Sequence, residues 1–456
     1  MAFLTEAANR GSISTGYDID NSLKFEADNG EYIYRTPSSA GNRKTWTLSF
    51  WLKRTELADG SNTMRVFEAW TGSTGTSGLF TATDNFILDL NNGSNYFTSN
   101  ARFRDASAWY HFVIRVDTTQ GTASERARVY VNGNELVNDV DGSWNAFIGQ
   151  NTDLTWNLDV AHNFARFHNN DSFVSGYYAE IHNVDGASLP PTAFGEFDDN
   201  SGIWKPKAAS PTYGTNGFYL DFSDSANLGD DASGNSNNFT ENNIAAADQA
   251  TDTPTNNFCT WNPLWSYVKM GTVAHGGTSS IGGPGGVWRG SKGTIGLTSG
   301  KWYWEQRASG SDTIVGWQTE NVVSDSGTNA HNVLDTVAFY EGGNFIWIKD
   351  STSGRNEGSA SGTHANGQLT GMALDLDSSP QTATFYRNGS AIASNINIDG
   401  LTGKTIFPMT SHYNQTSNAN FGGYCNFSIS SAATDENGYG TFEYAPPSGY
   451  YAICTK

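Results

Sequence analysis

The sequence predicts an all-β chain of two antiparallel, jelly-roll-like β-sandwiches joined by a partly ordered connector. Three observations carry that expectation. Apolar residues recur at every second position in one short run after another. The 50 glycines, with abundant Asn, Ser and Thr, punctuate those runs as tight polar turns would. The 456 residues exceed what a single hydrophobic core covers, so two cores are expected. The 14 Trp, 20 Tyr and 26 Phe supply enough bulky apolar surface for both, although the mean hydropathy is -0.48.

Taken in order, residues 1–21 are polar and rich in Gly and Ser, with scattered apolar anchors at Phe3, Leu4, Ile13, Tyr17 and Ile19. Such a segment forms no core alone and is expected to attach to a partner surface through its main chain. Residues 22–195 alternate strands with turns. WTLSFWLK (Trp46 to Lys53), WYHFVIRVD (Trp109 to Asp117), RARVYV (Arg126 to Val131) and YYAEI (Tyr177 to Ile181) read as strands. In the second of these, Tyr110, Phe112, Ile114 and Val116 share one face and His111 and Arg115 the other, the pattern of a half-buried strand. Asn132-Gly133 follows Val129-Tyr130-Val131 directly, and Asn-Gly favours the two positive φ values of a type I′ hairpin.

Residues 196–257 read as the connector, with Pro206, Pro211 and a Gly/Asp/Asn tract after Gly229. One island, Gly217 to Phe222, alternates aromatics and is expected to dock on a sandwich. Residues 258–456 form the second sandwich and a C-terminal extension. Its strands include KWYWE (Lys301 to Glu305), Ile314 to Gln318, Val337 to Tyr340, Phe345 to Ile348, Met372 to Asp377 and Thr382 to Arg387, the last closed by a second hairpin signal, Asn388-Gly389. Trp302, Trp304 and Trp317 are assigned to its core, as Phe50 and Phe385 are to the two cores.

A formal net charge of -20, from 46 acidic and 26 basic residues without a basic run, disfavours nucleic acid, whose phosphates need clustered Lys and Arg. Cys259, Cys425 and Cys454 are odd in number and lack metal-ligand spacing, so they are read as free thiols. No run approaches the roughly 20 apolar residues of a membrane span, so no membrane insertion is expected. The N-terminus has neither a basic start nor an apolar core and is read as no secretory signal.

In residues 22–195, Trp46-Thr-Leu-Ser-Phe-Trp51-Leu, Trp109 to Asp117, Arg128-Val-Tyr-Val-Asn132-Gly133 and the closing Gly176 to Gly186 resemble the laminin G-like branch of the concanavalin A-like lectin/glucanase superfamily. Gly300-Lys-Trp-Tyr-Trp304-Glu305, Val315-Gly316-Trp317, Gly371 to Asp375, Thr384 to Gly389, Phe407-Pro408 and Ala419 to Gly422 resemble a SPRY domain. The whole arrangement, with Arg10 to Ser22, Tyr213 to Phe222 and Asp252 to Phe258, resembles a family of structural proteins of marine bacteriophages. That resemblance implies a fibre, appendage or decoration of the virion, a homo-oligomer among other virion proteins, made in the host cytoplasm and released by lysis. A tail-associated glycan-degrading enzyme and a bacterial adhesin are the rival readings.

Retaining glucanases of the superfamily carry Glu-x-Asp-x-x-Glu on one strand, because their chemistry needs two carboxylates about 5 Å apart. Here Glu180-Ile-His182-Asn183-Val-Asp185 has a histidine at the central position and no second glutamate, so no catalytic residues are assigned and no enzyme is expected. Trp70, Trp144, Trp156 and Trp288 fall near turns, where a flat aromatic face beside Asn and Asp suits a host surface polysaccharide. The alternative for each is a cap on the end of a core. Asp84, Asp89, Asp153 and Asp159 are candidate ligands of a calcium ion, against the alternative of solvated turn carboxylates. His162, His168 and His182 are read as surface histidines.

Overall fold

Period-two alternation becomes sheet pairing throughout the computed structural model, which describes residues 2–4, 16–58, 60–265, 270–283, 286–320, 334–349, 355–359 and 366–456. The described helical segments are single turns of 3-10 helix, so the chain is all-β as expected. It divides into a first unit, Ile13–Thr255, and a second formed by Met1–Ser12 with Asn256–Lys456.

The first unit has two antiparallel sheets. One runs, in spatial order, through Asn134–Glu135, Ala127–Val131, Trp109–Asp117, Thr45–Arg54, Gly176–Asp185, Ser22–Phe25 and Gln249–Ala250, with Phe218–Leu220 also paired to Gly176–Asp185. The other runs through Gly142–Trp144, Tyr96–Arg102, Asn85–Asp89, Gly75–Phe80, Met64–Trp70, His162–Phe164, Tyr32–Arg35 and Thr240–Asn242. Leu48, Phe50, Phe112 and Ile114 from the first sheet share one buried cluster with Phe67, Phe86 and Leu88 from the second. Phe50 stacks on Phe112 at 5.5 Å and meets Phe67 edge-on at 6.0 Å, a geometry that adds to plain area burial. The Asn-Gly hairpin forms as the sequence predicts. Val131 pairs with Asn134 across two residues whose φ angles, 48° and 78°, are both positive.

The connector is where the structure departs from expectation. The Gly217–Phe222 island docks as expected, Phe218, Leu220 and Phe222 entering the first core, but beyond it Thr240–Asn242 pairs with Tyr32–Arg35 and Gln249–Ala250 with Ser22–Phe25, and Leu228 and Phe239 enter the same core. Residues 196–255 are thus part of the first sandwich. Two buried ion pairs fasten their C-terminal end: Lys24 Nζ lies 2.8 Å from Asp248, and Lys53 Nζ lies 2.6 Å from Asp252. Burial of both faces of the first sheet follows. His111 and Val113, on the side opposite Phe112, are 1% and 0% exposed. Phe194, Ala187, Leu189 and Tyr213 pack with Val113, and Trp204 donates its indole N–H to His111.

The second unit repeats the design. One sheet orders Ile295–Leu297, Ile406–Tyr413, Thr313–Thr319, Thr336–Tyr340, Phe345–Lys349 and Arg355–Ser359, with Trp288–Lys292 also on Ile406–Tyr413. The other orders Thr272–Ala274, Ser279–Ile281, Thr416–Asn420, Lys301–Ala308, Leu369–Asp375, Thr382–Arg387 and Ser390–Asn397. Trp302, Trp304, Trp317 and Phe385 lie in its core, as assigned, and Asn388-Gly389 makes the second two-residue hairpin with φ 46° and 77°. The extension packs back: Tyr451–Ala452 runs parallel to Lys301–Ala308, and Phe442 is fully buried.

The expected attachment segment is divided between the two units. Ala2–Leu4 pairs in parallel with Ile295–Leu297 of the second. Ile19 is 4% exposed in the first, where its backbone N–H donates to the Thr255 hydroxyl and its carbonyl accepts from it. Ile13 lies outside the described residues. None of the three cysteines is in a disulfide, and no described helix is long and apolar enough to cross a membrane.

Candidate functional site

Of the four candidate tryptophans, Trp144 lines a sizeable groove. It ends the Gly142–Trp144 edge strand of one sheet of the first unit, and Asn134–Glu135 is the edge of the other. Between these edges opens a groove of about 310 Å³. Its floor is apolar: Phe97, Val129 and Leu136 line it, and Phe97 and Val129 are buried core residues. Trp144 stands over this floor half-buried, 5.7 Å from Phe97 and 6.0 Å from Phe147 between ring centres. Phe147 and Val137, also in the lining, are 36% and 44% exposed. The rim is polar. Arg128 holds Glu135 at 3.2 Å and is paired with Glu125, while the Asn138 side chain accepts the Trp144 backbone N–H at 2.9 Å. Aromatic faces thus stand beside polar groups along this groove.

Residues 7–186 match the concanavalin A-like lectin/glucanases superfamily. No curated protein matches the sequence. Among solved structures, a pentraxin of Limulus polyphemus is similar at 17% identity and a TM-score of 0.29, over 38% of this chain and 79% of its own. The TRIM65 PSpry domain is similar at 16% identity and a TM-score of 0.29, over 38% and 90%. Domains LG4-5 of the mouse laminin alpha1 chain are similar at 9% identity and a TM-score of 0.29, over 98% of both chains. The groove lies within residues 7–186, the part of the chain that matches the lectin/glucanases model.

The other three tryptophans stand differently. Trp156 is 0% exposed in the core of the lectin-like unit and donates its indole N–H to Asn183, so it presents no face to a ligand. It is a core cap, the alternative reading for this residue. Trp70 has one face covered by His168, stacked at 4.6 Å and 4°, beside a notch of only about 40 Å³. Trp288, in the second unit, is half-buried against Tyr340 and Tyr413, each 5.9 Å away. In the same unit, residues 351–354 and 360–365 lie outside the described residues.

The four aspartates do not assemble a calcium site. Asp84 is 2% exposed and bound to Arg54 at 2.8 Å, Arg104 at 3.1 Å and the Ala58 backbone N–H, so cations of the protein already occupy it. Asp89 accepts the backbone N–H groups of Asn91 and Gly93 and closes its own turn. The two flank a strand that rises roughly 3.3 Å per residue, which holds them apart. Asp153 lies 3.9 Å from Lys44, and Asp159 is exposed in a separate turn. Among the described residues no group of three His, Cys, Asp or Glu could hold a metal ion.

Two of the histidines, His162 and His182, are buried instead of surface groups, while His168 remains partly exposed against Trp70 and Glu68. His162 accepts the Asn157 backbone N–H and donates to the Val160 carbonyl, and burial pushes its pKa down to about 4. His182 sits 3.5 Å from Glu180 and hydrogen-bonds the Tyr213 hydroxyl at 2.8 Å. No local pattern in the sequence points to this cluster. Glu180 occupies a bulge with φ 50°, a conformation that costs a non-glycine residue about 1–3 kcal/mol. Tyr17 and Tyr219 donate to its two oxygens at 2.8 and 2.6 Å. Burial works to raise the Glu180 carboxyl, but His182 and the phenols outweigh it and hold it below the ordinary carboxylate range. With both oxygens engaged, this carboxylate joins its strand to the Tyr17 and Tyr219 segments.

Proposed function

We propose that the protein is a non-enzymatic display protein of a phage virion whose lectin-like unit holds host surface polysaccharide in the groove at Trp144. The observation that carries the glycan reading is the half-buried Trp144 indole, set with Phe147 beside Phe97, Val129 and Leu136 and under a polar rim. The virion placement is supported by the resemblance of Arg10 to Ser22, Tyr213 to Phe222 and Asp252 to Phe258 to marine phage structural proteins. Two units in one chain suit an appendage or decoration that assembles with copies of itself and other particle proteins. The non-enzymatic reading is supported by the engaged oxygens of Glu180 and by the histidine that replaces the central acid of the glucanase motif.

Trp144→Ala is expected to weaken polysaccharide binding about tenfold, ~1.4 kcal/mol, as measured by retardation in polysaccharide-containing gels. Unchanged retardation would remove the groove as the site. New reducing ends after incubation with host polysaccharide would establish the enzyme instead, and absence of the chain from purified particles by mass spectrometry would refute the virion role.

A further inference from the structure

Resting on the glycan reading of the Trp144 groove, we infer that its ligand is a saccharide without carboxylate, sulfate or phosphate groups. Among the described residues the lining contains one cation, Arg128, and two carboxylates, Glu125 and Glu135, both paired to it. The charge of the guanidinium is more than matched by the two carboxylates, so the lining keeps one excess negative charge. Asp141 lies just outside, its carboxylate accepting the Val137 backbone N–H at 3.0 Å. The field of the whole chain, formally -20, has the same sign. An acidic sugar would bring a like charge against this rim, and like-charge contacts weaken both encounter and complex.

Hydrogen bonding suits hydroxyls as well. Ionised Glu125 and Glu135 only accept, while the Ser124 hydroxyl, the second amide hydrogen of Asn138 and the Arg128 Nε–H remain to donate. Such a rim meets hydroxyls, which both donate and accept, while its two carboxylates repel acid groups. The indole and phenyl faces take the C–H side of the pyranose, which needs no charge.

The test runs the full chain in native gels containing either neutral polysaccharides (dextran, mannan, a β-1,3-glucan, a galactan) or acidic ones (alginate, hyaluronate, a sulfated galactan). At least one neutral polymer should retard the protein. Trp144→Ala and, independently, the more exposed Phe147→Ala should each reduce that retardation about tenfold and fivefold. No acidic polymer should retard it. Retardation by an acidic polymer that Trp144→Ala abolishes would overturn this inference while leaving the glycan site standing. Retardation by neither panel, or retardation that both variants leave intact, would remove the glycan reading at this groove and the inference with it.

Discussion

Asp252→Asn is expected to destabilise the first unit by about 3–5 kcal/mol, because it removes the opposite charge from beside a buried ammonium. Lys53 and Asp252 are 0% and 1% exposed, 2.6 Å apart. The aspartate also accepts the Trp109 indole N–H at 3.1 Å, and its carbonyl accepts the Ser22 hydroxyl at 2.6 Å. It therefore ties the end of the 196–255 segment to three strands of the first sheet. A neutral amide of the same shape keeps the volume and loses the charge, so packing loss does not confuse the result. Hydrogen exchange should show protection falling first at Ser22–Phe25 and Gln249–Ala250, which pair with each other. Replacing both partners, as Lys53→Met with Asp252→Leu, should cost less, since both charges leave together and the remaining loss is the acceptor of the Trp109 indole N–H. If Asp252→Asn denatures with the parent's midpoint, the pair does not fasten the segment.

This fastening also shows why part of the fold is legible in the sequence and part is not. The strands and both Asn-Gly hairpins can be read because period-two burial and positive φ are local properties, written within a few neighbouring residues. Of residues 196–255 only the Gly217–Phe222 island can be read in this way; Leu228 and Phe239 are isolated in polar sequence and become core only through partners far away along the chain. The same non-local covering buries His111 on the face opposite Phe112 and makes His182 an interior group instead of a surface one. At the site, Trp144 and Trp156 look alike in sequence, each a tryptophan near a turn. One borders an open pair of sheet edges and the other is enclosed between the sheets, and only the tertiary fold separates them. The calcium reading of Asp84 fails for a related reason: its arginine partner Arg54 lies 30 residues upstream on another strand.

The contributions of Glu341 and Glu305 to the second unit's stability should fall as pH rises from about 4.5 to about 8, opposite to the usual behaviour of carboxylates in folded proteins, while His412 and Lys292, pushed down by burial to about 4 and about 6, act in the opposite sense. Glu341 is 1% exposed; burial pushes its carboxyl up to about 8, against the partial counterweight of the Thr370 hydroxyl at 2.7 Å and the attraction of Arg387. Glu305 is pushed up to about 7 by burial, although the backbone N–H groups of Glu443 and Tyr444, the Tyr303 hydroxyl and the Asn420 amide favour its charged form. In the unfolded chain both titrate near the ordinary glutamate value of about 4.3. Between that value and the folded ones the native state binds more protons than the unfolded state, so stability falls with rising pH. The contribution is complete below the unfolded pKa and is gone once pH passes the folded pKa. Glu341→Gln keeps the neutral shape at every pH, and the Gln306 amide, which reaches Glu341 at 3.0 Å in its favourable orientation, can pair with the new carbonyl. The variant should therefore melt higher than the parent at pH 8.5 and close to it at pH 5. Calorimetry of parent and variant across this range reads the Glu341 contribution as the difference between them, since Glu305, Lys292 and His412 are common to both. A Glu341→Gln variant that keeps the parent's slope would show that Glu341 is ionised throughout and that its burial is compensated.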